Sequence, residues 1–323
     1  MWRAAALALM LVCAPAGVAL VSAQEYPSRQ IRIIVPIAAG GTGDIFARAL
    51  GAELQKRFSQ TVIVDNRPGG SNNTGARACA ESQPDGYTLC LMQSTPVIYN
   101  QFMYKSMPFD PEKAFAPIAR LFYVTAAVVA NNDLKVKTMA DLIALAKAKP
   151  GTITYSTFSL HVVLYVEKLK ASTGAEMVRV PFRGGGEAVN AVLSGSTPVG
   201  FLGLSNMLGQ LQAGLMTGLA VESDERSPLF PDLPTLAEAG VGARGSSPDW
   251  FGLFAPAGTP APIIVKVSTE VAAITAEPQF RNAQFIARGL VPAVSTPEEF
   301  AAIIAKDRPS AERIIRELGL KAE

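Results

Sequence analysis

Residues 30–44 read QIRIIVPIAAGGTGD and combine, in order, a strand, a glycine-rich loop and the beginning of a helix. The strand is the β-branched run 30–36, and the helix is residues 44–58, where apolar side chains recur at helical spacing. The next segments are a strand at 61–65, a helix at 74–82 and a strand at 87–92. This βαβαβ order predicts a parallel sheet with helices on both faces.

The same alternation recurs from residue 125 and predicts a second α/β unit. Its strands are predicted at 125–130, 152–155, 177–181, 199–202 and 218–221, and its helices at 139–149, 161–171, 187–193 and 207–213. A strand at 250–255 and helices at 262–275 and 297–318 follow. We therefore expect two α/β lobes with an open cleft between them.

The length and composition limit the classes of protein to consider. The chain has 323 residues, which suggests about two domains of about 150 residues each. Hydrophobic residues make up 49% of the chain and the formal net charge is only +2, so a disordered chain is excluded. The same balance argues against a nucleic-acid partner, because no concentrated positive charge is available for phosphates.

The N-terminus has the three parts of a secretory signal peptide. Arg3 gives a basic start, residues 4–20 form an apolar run, and residues 21–23 fit a cleavage site before Gln24. Pro15 and Gly17 argue against the alternative of a membrane anchor, because they break the apolar helix. We predict that residues 1–23 are removed and that the mature protein is exported.

Export leaves two cysteines, Cys79 and Cys90, in a compartment that permits disulfides. They are predicted on a helix and the strand that follows it, where a disulfide and a packed pair of small apolar side chains remain equal alternatives. Neither cysteine fits a zinc pattern, and the single His161 leaves too few ligands for a metal. We expect no metal site and no catalytic cysteine.

The loop between the first strand and the first helix is the main chemical candidate. It lies at a strand's carboxyl end and a helix N-terminus, where parallel sheets bind ligands. Gly40 and Gly41 let backbone amides approach a ligand, and the helix dipole favours a negative group such as a carboxylate. Asp44 is predicted as the N-cap, and its charge should place the ligand carboxylate upstream, on the loop amides.

An enzyme is the competing hypothesis, because Gly41, Gly43 and Asp65 match part of a dinucleotide-binding pattern. Phe46 occupies the position of the third glycine and would obstruct the pyrophosphate, which argues against NAD. A hydrolase is also disfavoured, since the chain has no G-x-S-x-G elbow and His161 has no evident nucleophile. The sequence indicates no cofactor.

Short motifs are distributed over the whole mature chain. They are YPSRQIR at 26–32, GGTGD at 40–44, VDNRPGG at 64–70, PDGYTL at 84–89, FDP at 109–111 with FAPI at 115–118, PFRG at 181–184, SP at 227–228 with PDLPT at 231–235, and WFGL at 250–253 with APAGTP at 255–260. Together they resemble the Bug (TctC-like) family, the extracytoplasmic solute receptors of tripartite tricarboxylate transporters.

The resemblance implies a two-lobed periplasmic binding protein with a type II-like fold, each lobe a central sheet flanked by helices around a shared ligand cleft. Residues 24–126 and 248–323 would form the first lobe and residues 127–247 the second, with hinges near Thr125 and Trp250. The implied function is a receptor, not an enzyme, that closes on a small carboxylate or related polar metabolite. Its membrane partner would be the permease subunits of a tripartite transporter or, alternatively, a sensor kinase. We expect a monomer.

The expected ligand-binding residues come from both lobes. The first lobe contributes Ile37, Ala38, Ala39, Gly40, Gly41, Thr42, Asp44 and Gln93. The second lobe contributes Ser156, Thr157, Phe158, Ser159, His161, Arg183, Gly184, Leu202 and Gly203. His161 and Arg183 each have a structural alternative, as a packed histidine and as a solvated surface residue.

The chain departs from the family pattern at three places. Ile37-Ala38-Ala39 stand where the family usually has an extra proline and an aromatic residue, and the loop at 155–161 is several residues shorter. Leu202-Gly203 replace a common Asp-Asn pair. The loss of that carboxylate and amide favours a compact or apolar-bodied acid over an amino acid or an amide, and an impaired receptor is the alternative.

Overall fold

The computed structural model describes residues 25–157, 160–242 and 248–320. The predicted leader, residues 1–23, and two of the predicted site residues, Phe158 and Ser159, lie outside these ranges. Within the described ranges, no helix is long and apolar enough to cross a membrane.

Two β-sheets form the centre of the fold, as expected for two α/β lobes. The first sheet contains β1 (Ile31–Val35), β2 (Val62–Asn66), β3 (Thr88–Gln93), β4 (Phe115–Val124), β10 (Trp250–Pro256) and β11 (Leu290–Pro292), in the spatial order β11-β4-β10-β3-β1-β2. The second sheet contains β5 (Ala126–Asn131), β6 (Ile153–Thr157), β7 (Met177–Pro181), β8 (Val199–Gly203) and β9 (Met216–Glu222), in the order β7-β6-β8-β5-β9. We call each sheet with its helices a lobe.

Helices cover both faces of each sheet. In the first lobe α1 (Thr42–Phe58) and α8 (Ala261–Ala276) pack on one face, and α2 (Asn73–Ala80) and α10 (Pro297–Glu317) pack on the other. A π-helical turn at Thr95–Tyr99 leads into α3 (Asn100–Met103), and α9 (Pro278–Gln284) follows α8. In the second lobe α4 (Met139–Ala148) and α5 (Leu160–Thr173) cover one face, and α6 (Gly185–Leu193) and α7 (Leu208–Gln212) cover the other.

Strand β1 shows why its sequence is almost continuously apolar. Ile33 and Val35 point into the core beneath α1, while Ile34 points into the core beneath α2. All three side chains are fully buried, because helices cover the sheet on both faces. The glycine-rich loop that follows β1 is therefore anchored on a rigid, buried strand.

Both sheets are mixed, which corrects the expectation of a parallel sheet. Strand β1 pairs in parallel with β2 and β3, but β10 pairs antiparallel with β3 and β4. In the second sheet β6 is parallel to β7 and β8, whereas β5 is antiparallel to β8 and β9. At β5 and β10 the chain enters a sheet from the other lobe. The alternation of strands and helices in the sequence does not predict the direction of such strands.

In the described part of the chain, two neighbouring segments connect the lobes. Strand β4 ends at Val124 and β5 begins at Ala126, so Thr125 alone joins the two sheets. The chain returns to the first lobe at Asp249, whose carbonyl accepts a hydrogen bond from the Val124 amide (2.9 Å). Two adjacent connections of this kind allow lobes to rotate about a hinge. The predicted boundary differs by one residue, since Ala126 belongs to the second sheet.

A disulfide joins Cys79 in α2 to Cys90 in β3. The sequence left a bond and a packed pair open, and the structure contains the bond. Both residues are fully buried, in the core between the first sheet, α2 and α10. The disulfide therefore fixes α2 to the sheet.

Candidate functional site

Side chains from α1 and β2 hold the glycine-rich loop at both of its ends. The Gly40 amide donates to Asp44 Oδ2 (2.8 Å), and Asp44 Oδ1 pairs with Arg48 (2.9 Å). Arg48 also donates to Asn66 Oδ1 (3.0 Å), and Asn66 Nδ2 donates to the Ile37 carbonyl (3.1 Å). These contacts tie both ends of the loop to α1 and β2.

The prediction that Asp44 is the N-cap is wrong. Helix α1 begins at Thr42 and its N-cap is Gly41, so Asp44 is the third helical residue and its side chain reaches back to the Gly40 amide. Burial raises the pKa of Asp44, but the hydrogen bonds from Arg48, Gly40 and Asn66 outweigh burial and hold that pKa below its usual value. Asp44 is therefore ionised and fixes the loop.

The amides that remain for a ligand lie at the beginning of α1. The Ile37 side chain is buried in the first-lobe core against Gly41 and Gly43, so only its backbone faces the loop. The first amides of a helix have no acceptor within the helix, and in α1 these are the amides of Thr42, Gly43 and Asp44, since the Ile45 amide already donates to the Gly41 carbonyl (3.0 Å). Together with the helix dipole, they favour a carboxylate or another small anion.

The second lobe contacts this loop through three residues. Gly184 lies against Ala38, so closely that a Cβ on Gly184 would stand 3.1 Å from the Ala38 Cβ. The Thr42 hydroxyl hydrogen bonds with Ser205 Oγ (2.7 Å) and donates to Asn206 Oδ1 (3.1 Å). We call this set of five residues the loop contact; it is built from small and neutral groups.

A small cavity between the lobes brings together five residues that the sequence predicted. It has a volume of about 20 Å³ and is lined by Gln93, Thr157, His161, Leu202 and Gly203, together with Val124, Ala126, Val162, Phe201 and Asp249. Gly203 is needed at this place, because a Cβ there would come within 2.8 Å of Val124 in the other lobe. The predicted residues at the ends of β3, β6 and β8 therefore do converge.

Three ionisable residues lie beside this cavity, near the connections between the lobes. His161 Nε2 is 3.2 Å from Glu222 Oε1, and the His161 ring also approaches the Tyr99 hydroxyl (3.4 Å). Asp249 accepts hydrogen bonds from Ser94 Oγ (2.6 Å) and Gln93 Nε2 (2.8 Å). All three are at least 92% buried, with exposed fractions of 2%, 8% and 5% for His161, Glu222 and Asp249. We call these three residues the ion cluster.

The ion cluster affects the protonation of Asp249. Burial raises the pKa of Asp249, although the charge of His161 and the hydrogen bonds from Ser94 and Gln93 oppose this. Glu222 adds a second negative charge that also raises that pKa. Since both ring nitrogens of His161 approach protein groups, the structural alternative for His161 is favoured over a ligand contact.

The other predicted residues have separate positions. Ser156 is buried inside the second lobe, where its hydroxyl donates to the carbonyls of Ala188 and Val199 (both 3.4 Å). Arg183 is exposed and lines a different pocket between the lobes, while Ala39 and Gly40 are exposed at the tip of the loop. In the described part of the chain, no three histidine, cysteine or acidic side chains are grouped as a metal would require.

Sequence reasoning missed four residues of this interface: Ser205, Asn206, Glu222 and Asp249. Each lies at the end of a strand or directly beside one, since Ser205 and Asn206 follow β8, Glu222 ends β9 and Asp249 precedes β10. For Ser205, Asn206 and Glu222 the position at the carboxyl end of a strand was a usable signal, because ligands of α/β sheets bind at such ends. A groove of about 650 Å³ on the second lobe, beside α4 and β9, contains none of the predicted residues.

Comparisons with known proteins agree with this architecture. A family model described as the tripartite tricarboxylate transporter family receptor matches residues 46–320. Protein BugT of Bordetella pertussis (strain Tohama I) is 34% identical over 312 residues, which are 95% of each chain. Among solved structures, "R. palustris Rpa4515 with adipate" is 29% identical with a TM-score of 0.88, covering 93% of this chain and 100% of that one.

A second solved structure, described as a periplasmic transporter, is 30% identical with a TM-score of 0.86, covering 92% of this chain and 100% of that one. These matches confirm the family that the sequence motifs indicated. The chain belongs to the receptor family of the tripartite tricarboxylate transporters and is a periplasmic solute-binding receptor.

Proposed function

We propose that this receptor captures a small carboxylate between its lobes and delivers it to a tripartite tricarboxylate-type transporter. The observation that carries the proposal is the loop of residues 37–44, which offers helix N-terminal amides at the place where the second lobe makes contact. A carboxylate on these amides could be enclosed by Gly184, Ser205 and Asn206, so binding would favour the closed arrangement of the lobes.

The chemistry of the loop supports an anionic ligand rather than a cation. Asp44, the acidic residue of the loop, is already paired with Arg48 and with the Gly40 amide, so its charge is compensated. The related R. palustris protein has adipate bound, which supports a carboxylate as the ligand class here. Binding followed by release to a membrane partner needs no covalent chemistry, and we propose that this protein has no enzymatic activity.

The proposed hinge is the pair of connections at Thr125 and Asp249. The hydrogen bond between Val124 and Asp249 joins these connections, so rotation there would separate the loop contact while leaving both sheets intact. We propose residues 24–125 and 248–323 as one rotating body and residues 126–247 as the other, which moves Ala126 from the first predicted lobe to the second.

A ligand screen on the purified mature protein tests the proposal. Melting temperature would be measured with mono-, di- and tricarboxylates, amino acids, nicotinamide and NAD, because a ligand at about 100 times its Kd adds about 2.7 kcal/mol. We expect a selective increase with one class of carboxylate. A shift with NAD alone would instead support the nucleotide-dependent enzyme.

The role of the loop is tested by Gly41→Leu. A side chain at this position meets the buried Ile37 side chain at 3.2 Å and the Ala38 carbonyl at 3.4 Å, so it should displace the loop that carries the ligand amides and abolish carboxylate binding. Gly209→Leu is the matched control, because Gly209 lies in α7 with open space around it. Equal binding by the two variants would contradict the proposed site.

A further inference from the structure

A second pocket between the lobes contains two arginines. It has a volume of about 340 Å³ and is lined on the first-lobe side by the loop 69–72 and on the second-lobe side by Arg179, Pro181, Phe182 and Arg183. The two walls belong to different lobes, so the pocket exists only when the lobes are together. We call it the arginine pocket.

The arginine pocket is positively charged and lacks a negative partner. None of its lining residues is acidic, and in the described part of the chain neither guanidinium forms an ion pair. Arg179 Nε is buried and has no hydrogen-bond partner among the described residues. Elsewhere Arg29, Arg57 and Arg226 pair with carboxylates at 2.7, 2.9 and 2.8 Å. The two pocket arginines are thus available to an external anion.

The guanidinium groups favour an anion as the ligand of this pocket. Arginine presents a planar set of N–H donors that matches two oxygens of a carboxylate or a phosphate, and the group stays charged at any physiological pH. The remaining lining is neutral: Gly69, Gly70 and Ser71 add backbone and a hydroxyl, and Asn72 is held by its hydrogen bond to Gln93 (3.3 Å). A carboxylate fits this environment, whereas a cation does not.

Residues that follow both walls of the arginine pocket in the sequence pack on the segment that leads into the carboxylate loop. Gly184, the residue after Arg183, lies against Ala38. On the other side Gly75 of α2 packs on Pro36 so closely that a Cβ would stand 2.7 Å from the Pro36 Cα. These neighbouring contacts place the pocket near residues 36–38, which lead into the loop amides.

We propose that the arginine pocket binds the second carboxylate of a dicarboxylate whose first carboxylate lies on the loop of residues 37–44. This inference rests on the proposed function and names its substrate class. A dicarboxylate would contact both lobes at both of its ends, and Arg179 and Arg183 would determine the preference for a second negative charge. A monocarboxylate would use the loop alone.

The test compares acids that differ only in the second carboxylate. Isothermal titration calorimetry would give the Kd of the wild-type mature protein for linear dicarboxylates of four to eight carbons and for the monocarboxylates of equal length. The same pairs would be measured with Arg179→Gln, Arg183→Gln and the double variant. Arg313→Gln, on the exposed face of α10, controls for the loss of one positive charge.

We expect wild type and Arg313→Gln to bind at least one dicarboxylate tenfold or more tightly than its matched monocarboxylate. The double variant should lose that preference, with a melting temperature close to that of wild type. An equal preference in the double variant and wild type would overturn the arginine pocket while leaving the receptor function in place. If the wild-type protein binds monocarboxylates as tightly as dicarboxylates, the arginine pocket is also overturned. If the wild-type protein binds no carboxylate, the proposed function is overturned as well.

Discussion

The loop contact and the ion cluster join the same two lobes with opposite chemistry. At the loop contact, Gly184 touches Ala38 and the Thr42 hydroxyl meets Ser205 and Asn206, all of them neutral groups. In the ion cluster, the side chains are ionisable and almost completely buried. Breaking a few neutral contacts costs little free energy, whereas removing a partner from a buried ionisable group costs several kcal/mol, about 3–5 for a buried ion pair.

The comparison indicates a division of tasks between the two regions. The ion cluster lies next to Thr125, at the proposed hinge, where a rotation of the lobes would displace atoms least. The loop contact is the place where a ligand would be enclosed, and it must open and close. We expect the ion cluster to maintain stability and the loop contact to control access, and the following changes test this separation.

The largest expected effect is that of His161→Gln on stability. The substitution removes the imidazole that lies 3.2 Å from the buried Glu222 carboxylate, and removing one partner of a buried pair costs about 3–5 kcal/mol. Urea denaturation of the mature protein would measure the loss. The double variant His161→Gln/Glu222→Gln also removes the carboxylate that lost its partner and should recover part of the stability. No difference between single and double variants would show that the pair is not coupled.

The second prediction concerns ligand affinity. Gly184→Leu places a side chain between the lobes at Ala38, so it should weaken carboxylate binding by about 100-fold, or about 2.7 kcal/mol, with little change in melting temperature. Gly186→Leu is the matched control, since Gly186 has open space around it in the same glycine run. If both variants bind equally well by calorimetry, the loop contact does not close on the ligand.

A smaller effect is expected from Asp44→Asn. The ionised carboxylate holds the Gly40 amide, and its loss should cost about 1 kcal/mol at pH 7. Because the folded-state pKa of Asp44 is lowered, its contribution is present above the unfolded pKa of about 3.9 and is lost as pH falls through the folded value. The melting temperatures of wild type and variant should therefore converge in acid; a constant difference would contradict this.

The smallest expected effect concerns Asp249 in the ion cluster. Its contribution to stability should change with pH in the direction opposite to that of Asp44. The folded-state pKa of Asp249 is raised, so its contribution is fully present below the unfolded pKa and is lost as pH rises through the folded value. The melting temperature of Asp249→Asn minus that of wild type should therefore increase as pH rises from about 4 toward neutrality. A decrease in that difference over the same pH range would show that the folded protein favours the ionised carboxylate of Asp249.

The sequence predicted the regular elements better than the contacts between them. The strand at 177–181 and the beginnings of α4, β10 and α10 agree with the structure, because each has a clear apolar period or a capping residue. Strand β4 was missed, because its sequence FAPIARLFYV contains Pro117 and Arg120 and lacks regular alternation. The backbone of β4 pairs with β10 on one side and with β11 on the other, and both strands come from distant parts of the sequence.

The candidate site was predictable where chemistry is local. The glycine loop, Gly184 and the cavity residues could be identified from strand ends, and the structure places them at the lobe interface. Glu222 and Asp249 could not be paired with His161, since they lie 61 and 88 residues away in the sequence and no local pattern links them. The position of Asp44 was wrong because two residues before it, Thr42 and Gly43, already join the helix.

The Cys79–Cys90 bond has a consequence for how the protein is prepared. Helix α2 begins directly after the loop 69–72, and the disulfide fastens that helix to β3. Material made without its leader in a reducing cytoplasm would carry two thiols, and α2 would be held by packing alone. Affinities measured on such a sample would describe a receptor with one wall of the arginine pocket unfastened. Oxidised protein, verified by mass and by titration of free thiols, is the proper reference for every measurement above.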